Sequence, residues 1–124
     1  MSKEVTLLED MSVYKLIVPL TDEVWETVKS WKSFEKETIG MQWVRAMDSV
    51  GANTAEGFGR FHYGEKIKFY YYARGSVLES QYWIKRAHKR NLIDERMARR
   101  HLFALQSINK ELNLLIKMCK SKKS

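Results

Sequence analysis

The chain has 124 residues, of which 44% are hydrophobic and 30% are charged, so it is long enough to bury one core without metals or disulfides. One proline and six glycines exclude a turn-rich β fold, and a single cysteine, Cys119, excludes an internal disulfide. The net charge of +7 favours an anionic partner, and no apolar stretch approaches the roughly 20 residues that cross a bilayer.

The first predicted helix covers about residues 12–33 and follows a short N-terminal arm, about 1–11. Because Pro19 removes a backbone hydrogen bond within this helix, we expect a kink there or a fresh helix start near Thr21. The arm has no basic region leading into an apolar run, which is not typical of a signal peptide, so we expect a cytoplasmic location. The apolar residues of the helix are spaced three and four apart: Val13, Ile17, Leu20, Val24, Val28 and Trp31.

The second predicted helix covers about residues 38–57, after a connection at about 33–38. Its core stripe consists of Ile39, Trp43, Ala46, Val50 and Thr54. A turn at about 58–63 leads into a third helix, predicted over about 64–90. Its apolar band is wider and comprises Ile67, Tyr70, Tyr71, Ala73, Val77, Leu78, Ile84 and Ala87.

Asp94 is placed to cap a fourth helix, which is predicted to run to about residue 120 before a frayed basic tail, about 121–124. Four helices joined by short connections predict a single all-α domain over 1–124, an antiparallel up-down-up-down four-helix bundle. The apolar residues of the fourth helix follow a heptad-like spacing: Met97, Leu105, Ile108, Leu112, Leu115 and Cys119.

Charge is distributed unevenly along the chain. Residues 1–62 hold 7 Lys and Arg against 10 Asp and Glu, a balance of −3, whereas residues 63–124 hold 15 against 5, a balance of +10. A basic concentration attracts phosphate backbones or an acidic protein surface, and a merely solvated helix hairpin is the plain alternative. The candidate nucleic-acid-binding residues surround the predicted third connection: Lys85, Arg86, Lys89, Arg90, Arg96, Arg99 and Arg100.

A set of polar residues on the second and third helices is predicted to form a partly buried network that fixes helix register, because buried charges must be paired. Losing one partner would then cost roughly 3 to 5 kcal/mol if burial is complete. The alternative is a ligand or catalytic site, but no nucleophile, general base or metal-binding pattern accompanies these residues, so we expect no enzyme, no metal and no cofactor. The network residues are Arg45, Asn53, Glu56, Arg74 and Glu79.

The chain is rich in aromatic residues, with four tryptophans and the run Phe69-Tyr70-Tyr71-Tyr72. Successive helix residues are about 100° apart, so at least one of the three tyrosines faces solvent or another subunit. Exposed aromatics stack on single-stranded bases or populate subunit interfaces, and the interface is the favoured interpretation here.

Three segments resemble the signature of the four-helix-bundle proteins encoded in intervening sequences of bacterial 23S ribosomal RNA genes. They are QWVRA at 42–46, SVGANTAEGFGR at 49–60 and ARGSVLE at 73–79, within a resemblance covering about 13–116. The resemblance implies a homo-oligomer, particularly a pentamer, and a link to nucleic acid. Related proteins include the accessory variability protein of diversity-generating retroelements, a pentameric bundle that associates with a reverse transcriptase and its RNA.

Two functions follow as hypotheses. The first is a noncatalytic oligomeric scaffold that binds nucleic acid, RNA more than DNA, through its basic surface, with many weak contacts multiplied by assembly. The second is a protein-binding assembly or accessory subunit, with an acidic protein partner or, for example, a reverse transcriptase. Neither function requires a membrane or a cofactor.

Overall fold

Four long helices make up the fold in this computed structural model, which describes residues 7–123. They are α1 (Ser12–Lys29), α2 (Met41–Gly59), α3 (Tyr63–Lys89) and α4 (Glu95–Lys122), with a 3-10 turn at Leu8–Asp10. No strand occurs in this range, so the all-α prediction is confirmed. Within the same range, no helix is both long and apolar enough to cross a membrane.

Side-chain contacts show that neighbouring helices run antiparallel. Ser12 Oγ, at the start of α1, donates to Glu111 Oε1 late in α4 at 2.7 Å, whereas Glu23 further along α1 contacts Arg100 early in α4. The ammonium of Lys120, near the end of α4, likewise lies 5.5 Å from the Tyr71 ring in the first half of α3. The predicted up-down-up-down bundle therefore forms.

The core takes one stripe from each helix, centred on Trp43. Its indole is fully buried and lies 5.9 Å from the Trp31 ring and 5.7 Å from the His101 ring. The predicted stripe of α2 is buried throughout, and that of α1 is buried except at Trp31, which is half-buried. Tyr71 and Leu78 of the predicted α3 band are exposed. They lie on the outward side of a helix that is apolar on more than one side.

Helix α1 passes through Pro19 without interruption and ends at Lys29, so a fresh start near Thr21 is wrong. Pro19 lies on the solvent-facing side, where water can satisfy the carbonyl that loses its backbone partner. The N-terminal arm is in part outside the described residues, because the description begins at residue 7.

The connection predicted at 33–38 is instead helical. The turn at 30–32 leads into a helical turn at Ser33–Glu35 and a π-helical segment at Lys36–Gly40, which continues into α2. A wider π turn shifts the register of the side chains that follow it. Gly40 lies within this segment because α1 approaches closely there: a Cβ on Gly40 would be 2.6 Å from Val28 Cγ1.

The α2–α3 turn is tighter than predicted, spanning 60–62, because α2 continues to Gly59. Gly57 admits the flat ring of Tyr70, since a Cβ at Gly57 would lie 2.6 Å from a ring carbon. The ammonium of Lys66 donates to the carbonyl oxygens of Gly57 and Phe58 at 3.2 and 2.8 Å, which satisfies acceptors at the end of α2.

The turn at 90–94 joins α3 to α4. Asn91 adopts a φ of 59°, a left-handed conformation that asparagine tolerates well. Asp94 Oδ1 accepts a hydrogen bond from the Met97 amide at 2.8 Å, so the predicted cap of α4 is confirmed. Helix α4 extends to Lys122, which leaves a shorter tail than predicted, and Ser124 lies outside the described residues.

Candidate nucleic-acid interface

The α3–α4 hairpin brings the seven predicted cationic residues together at one end of the bundle. Lys85, Arg86 and Lys89 lie near the C-terminal end of α3, Arg90 lies in the turn, and the other three lie in the first turns of α4. Six are exposed. Arg86 is half-buried, with its guanidinium carbon 5.9 Å from the centre of the Tyr82 ring. We call this set of seven the hairpin surface.

Two of these cations are already paired within the chain. Arg99 contacts Glu95 at 3.4 Å one turn earlier, and Arg100 contacts Glu23 at 2.8 Å across the α1–α4 interface. Within residues 7–123, no carboxylate oxygen lies within 4.0 Å of the charged nitrogens of the remaining five. Five charges are therefore available for an external anion: Lys85, Arg86, Lys89, Arg90 and Arg96.

The predicted polar network does not form, because its residues lie on outward or partly outward faces and make local contacts. Glu56 is exposed and pairs with Arg60 at 3.2 Å. Exposed Glu79 accepts from Trp83 Nε1 at 3.2 Å. The apolar stripe of α2 takes the inward side, so substituting Glu56 is now expected to cost no more than about 1 kcal/mol.

The other three residues of the predicted network form no hydrogen bonds with one another either. Asn53 Nδ2 donates to the Ser49 carbonyl oxygen within α2 at 3.0 Å. The Arg74 guanidinium carbon lies 5.3 Å from the centre of the Tyr71 ring, and Arg45 is exposed. None of these contacts links α2 to α3, so register is set by the apolar core and by the glycine contacts.

A buried polar cluster that the sequence pattern did not indicate links α1 to α4. His101 is fully buried, and its Nε2 hydrogen-bonds to Glu23 Oε1, the oxygen that also contacts Arg100. His101 occupies a core position on the same stripe as Leu105 and Ile108. The only sequence signal was a histidine on this stripe, and its acidic partner lies 78 residues away.

The ionisation of this cluster follows from its surroundings. The hydrogen bond from Arg100 lowers the pKa of Glu23 despite opposing burial, and His101 adds to the effect. Burial lowers the pKa of His101, although Glu23 acts in the opposite direction. Nδ1 is buried and has no hydrogen-bond partner among the residues that the structure describes, so a second ring proton is unfavourable there. The neutral imidazole donates through Nε2 to an ionised carboxylate.

The cluster of His101, Glu23 and Arg100 joins α1 to α4 and has a structural role. The ring of His101 is enclosed by the core, so no substrate reaches it in this conformation. In the part of the chain that the structure describes, no three side chains among His, Cys, Asp and Glu are grouped so that they could hold a metal ion.

The fold and its surface define a class: an antiparallel four-helix bundle with a basic end. Residues 9–114 match the family described as 23S rRNA-intervening sequence protein, and the chain belongs to that family. A crystal structure of a protein of unknown function from the S23 ribosomal protein family of Bacteroides thetaiotaomicron has the same fold. Its TM-score is 0.80 at 22% identity, covering 89% of this chain and 99% of that one. None of the curated proteins matches the chain.

Proposed function

We propose that the protein is a noncatalytic, homo-oligomeric scaffold that binds nucleic acid through the hairpin surface. The observation that carries this proposal is the group of five cations that have no acidic partner among residues 7–123, concentrated at one end of the bundle. We take RNA rather than DNA as the ligand, because the resemblance extends to an accessory variability protein that associates with a reverse transcriptase and its RNA. We also place the protein in the cytoplasm, where reducing conditions suit the free thiol of Cys119.

Charge of this kind binds phosphates without reading sequence. Each phosphate contact to a single strand changes the slope of log affinity against log salt by about 0.7, and each contact to a duplex by about 0.9. One protomer offers few contacts, so assembly would supply avidity by presenting several hairpin surfaces to one RNA.

The triple substitution Lys89→Gln, Arg90→Gln and Arg96→Gln tests the hairpin surface. We expect it to weaken RNA binding about 100-fold at 0.1 M salt and to reduce the salt slope by about 2, since three contacts are lost. Arg99 and Arg100 are left unchanged because both already pair with carboxylates. Fluorescence anisotropy of a labelled structured RNA across a salt series measures both effects.

A matched control removes the same charge from the part of the bundle away from the hairpin. Lys15→Gln, Lys68→Gln and Lys110→Gln change three exposed cations and should leave RNA affinity within about threefold of wild type. Unchanged affinity in the hairpin triple would contradict the proposed surface and shift attention to the cations at the end of the chain: Lys117, Lys120, Lys122 and Lys123.

A second observation favours self-association. An apolar groove of about 410 Å³ lies between α1 and the start of α2. Trp25 and Met41 line it while remaining 56% and 46% exposed, and Val28 and Val44 complete its apolar wall. We assign this groove to a second copy of the chain, because the family resemblance implies a homo-oligomer, most often a pentamer. The groove and the hairpin surface share no residues, and both lie toward the same end of the bundle.

Met41→Lys tests the assembly. A buried, unpaired ammonium at a subunit interface is costly, so we expect the variant to have a lower mass than wild type by size exclusion coupled to light scattering at micromolar concentration. Phe61→Lys, which places the same charge on an exposed aromatic outside the groove, should keep the wild-type mass. A monomeric wild type would refute the oligomer. An acidic protein partner or a reverse transcriptase remains the alternative use of the same basic surface.

A further inference from the structure

A line of exposed aromatic and apolar residues runs along α3 and leads into the hairpin surface. Tyr71, Leu78 and Tyr82 are 40%, 67% and 54% exposed. With 3.6 residues per turn, positions 78 and 82 each fall within about 20° of position 71 around the helix, on opposite sides of it. Lys85 and Lys89 continue the same line into the hairpin. We call these five residues the α3 track.

Cations lie over the tyrosine rings of this track. The Lys120 ammonium and the Arg74 guanidinium carbon lie 5.5 and 5.3 Å from the centre of the Tyr71 ring. Arg86 lies 5.9 Å from the centre of the Tyr82 ring. Three of the six cation–ring contacts in the described residues therefore involve these two rings. The surface therefore alternates aromatic faces with positive charge.

Carboxylates close to this surface are already engaged. Glu79 accepts from Trp83, Glu95 pairs with Arg99, and Glu111 accepts from Ser12 on the α1 side of α4. Within residues 7–123, no carboxylate oxygen lies within 4.0 Å of the charged nitrogens of Arg74, Arg86 or Lys120. A second copy presenting the same face would meet like charge. An anion with aromatic rings of its own is the complementary ligand.

We propose that the α3 track binds single-stranded RNA, with bases stacked on Tyr71 and Tyr82 and phosphates held by the flanking cations. This inference rests on the proposed nucleic-acid function and adds the form of the ligand. Duplex bases are stacked inside the helix and do not reach a tyrosine face, whereas single strands expose them. The two tyrosines are about 16 Å apart along the helix axis, which accommodates a few nucleotides. Gly75 leaves open space between Tyr71 and Leu78.

The double variant Tyr71→Ala, Tyr82→Ala tests the track. We expect its affinity for a labelled twelve-nucleotide polyuridine strand to fall about 30-fold or more, because each lost base–aromatic stack weakens binding severalfold at least. Affinity for a twelve-base-pair RNA duplex should stay within twofold of wild type. The double variant Tyr71→Phe, Tyr82→Phe should bind the single strand as wild type does, since the rings rather than the hydroxyls make the stacks.

Tyr72→Ala is the matched control. Tyr72 is 49% exposed and has Lys68 over its ring at 5.9 Å, but it lies about 100° around the helix from Tyr71. It should bind the single strand as wild type does. An equal loss of affinity in Tyr72→Ala would contradict the proposal that the α3 track binds single-stranded RNA. So would an unchanged affinity in the double variant Tyr71→Ala, Tyr82→Ala. Circular dichroism melting confirms that each variant is folded.

The outcomes separate the track from the hairpin surface. Suppose that the protein binds single-stranded and duplex RNA equally tightly and that only the hairpin triple variant weakens binding. The proposed function would then stand, and the α3 track would not be a binding site. A fall in oligomer mass in the double alanine variant would instead make the line of tyrosines a self-association surface and overturn the inference. Absence of any RNA binding by wild type would reject both.

Discussion

Trp43→Ala is expected to lower the free energy of unfolding by about 3–5 kcal/mol, the range for deleting a buried large aromatic. Trp43 is fully buried, stacks on Trp31 and meets the edge of His101. Removing the indole would leave a cavity between α1, α2 and α4 that the remaining side chains cannot fill without shifting the helices. Urea denaturation followed by circular dichroism measures the loss independently of tryptophan fluorescence.

Trp25→Ala is the control, because it removes the same side-chain atoms from a different position. Trp25 lies on the surface of α1, so its substitution should cost about 1 kcal/mol or less when measured on the monomer at low concentration. Comparable losses in the two variants would mean that burial does not distinguish these positions, contrary to the packing described above.

The protein should become less stable as the pH falls from 7 to 5, and His101 should be a main cause. Burial holds the pKa of His101 below its ordinary value of 6.5, so below that pH the unfolded chain binds a proton that the folded chain resists. Stability is therefore lost as the pH decreases. Glu23 acts in the same sense at lower pH, because its pKa lies below the ordinary 4.5 and its contacts weaken once it is protonated.

One carboxyl group on α2 acts in the opposite sense. Burial and the neighbouring Asp22 charge raise the pKa of Asp48 from its ordinary value of 3.8. That shift opposes the trend, because the folded protein binds the proton on Asp48 more tightly than the unfolded chain does.

His101→Leu should flatten the loss of stability between pH 7 and 5. Leucine has a similar volume and matches the neighbouring core residues, and Glu23 keeps its contact with Arg100. The control is His88→Leu, which removes an exposed imidazole from α3 and should retain the wild-type pH profile. A wild-type profile in His101→Leu would show that the buried imidazole is not the group responsible. Urea denaturation at a series of pH values gives these profiles.

Local patterns in the sequence determined most of the fold. Spacings of three and four placed the core stripes of α1 and α2, because helical periodicity depends only on neighbouring residues. Asp94 could be recognised as a cap for the same reason, since a cap acts on the amide three residues later. The clustering of cations around one short connection was equally visible, and a hairpin necessarily brings them together.

Only the tertiary structure decided which faces point inward and which polar residues meet. Glu56 and Arg74 lie close to small residues in the sequence, and this pattern led to the prediction of a buried network. The neighbouring helix instead packs against the apolar side of α2, so Glu56 stays in solvent. The burial of His101 against Glu23 depends on a contact across 78 residues of sequence, which no local pattern encodes. The outward line of Tyr71, Leu78 and Tyr82 emerged in the same way: α3 is apolar on more than one side, and the packing of α2 and α4 against it selected the side that stays exposed.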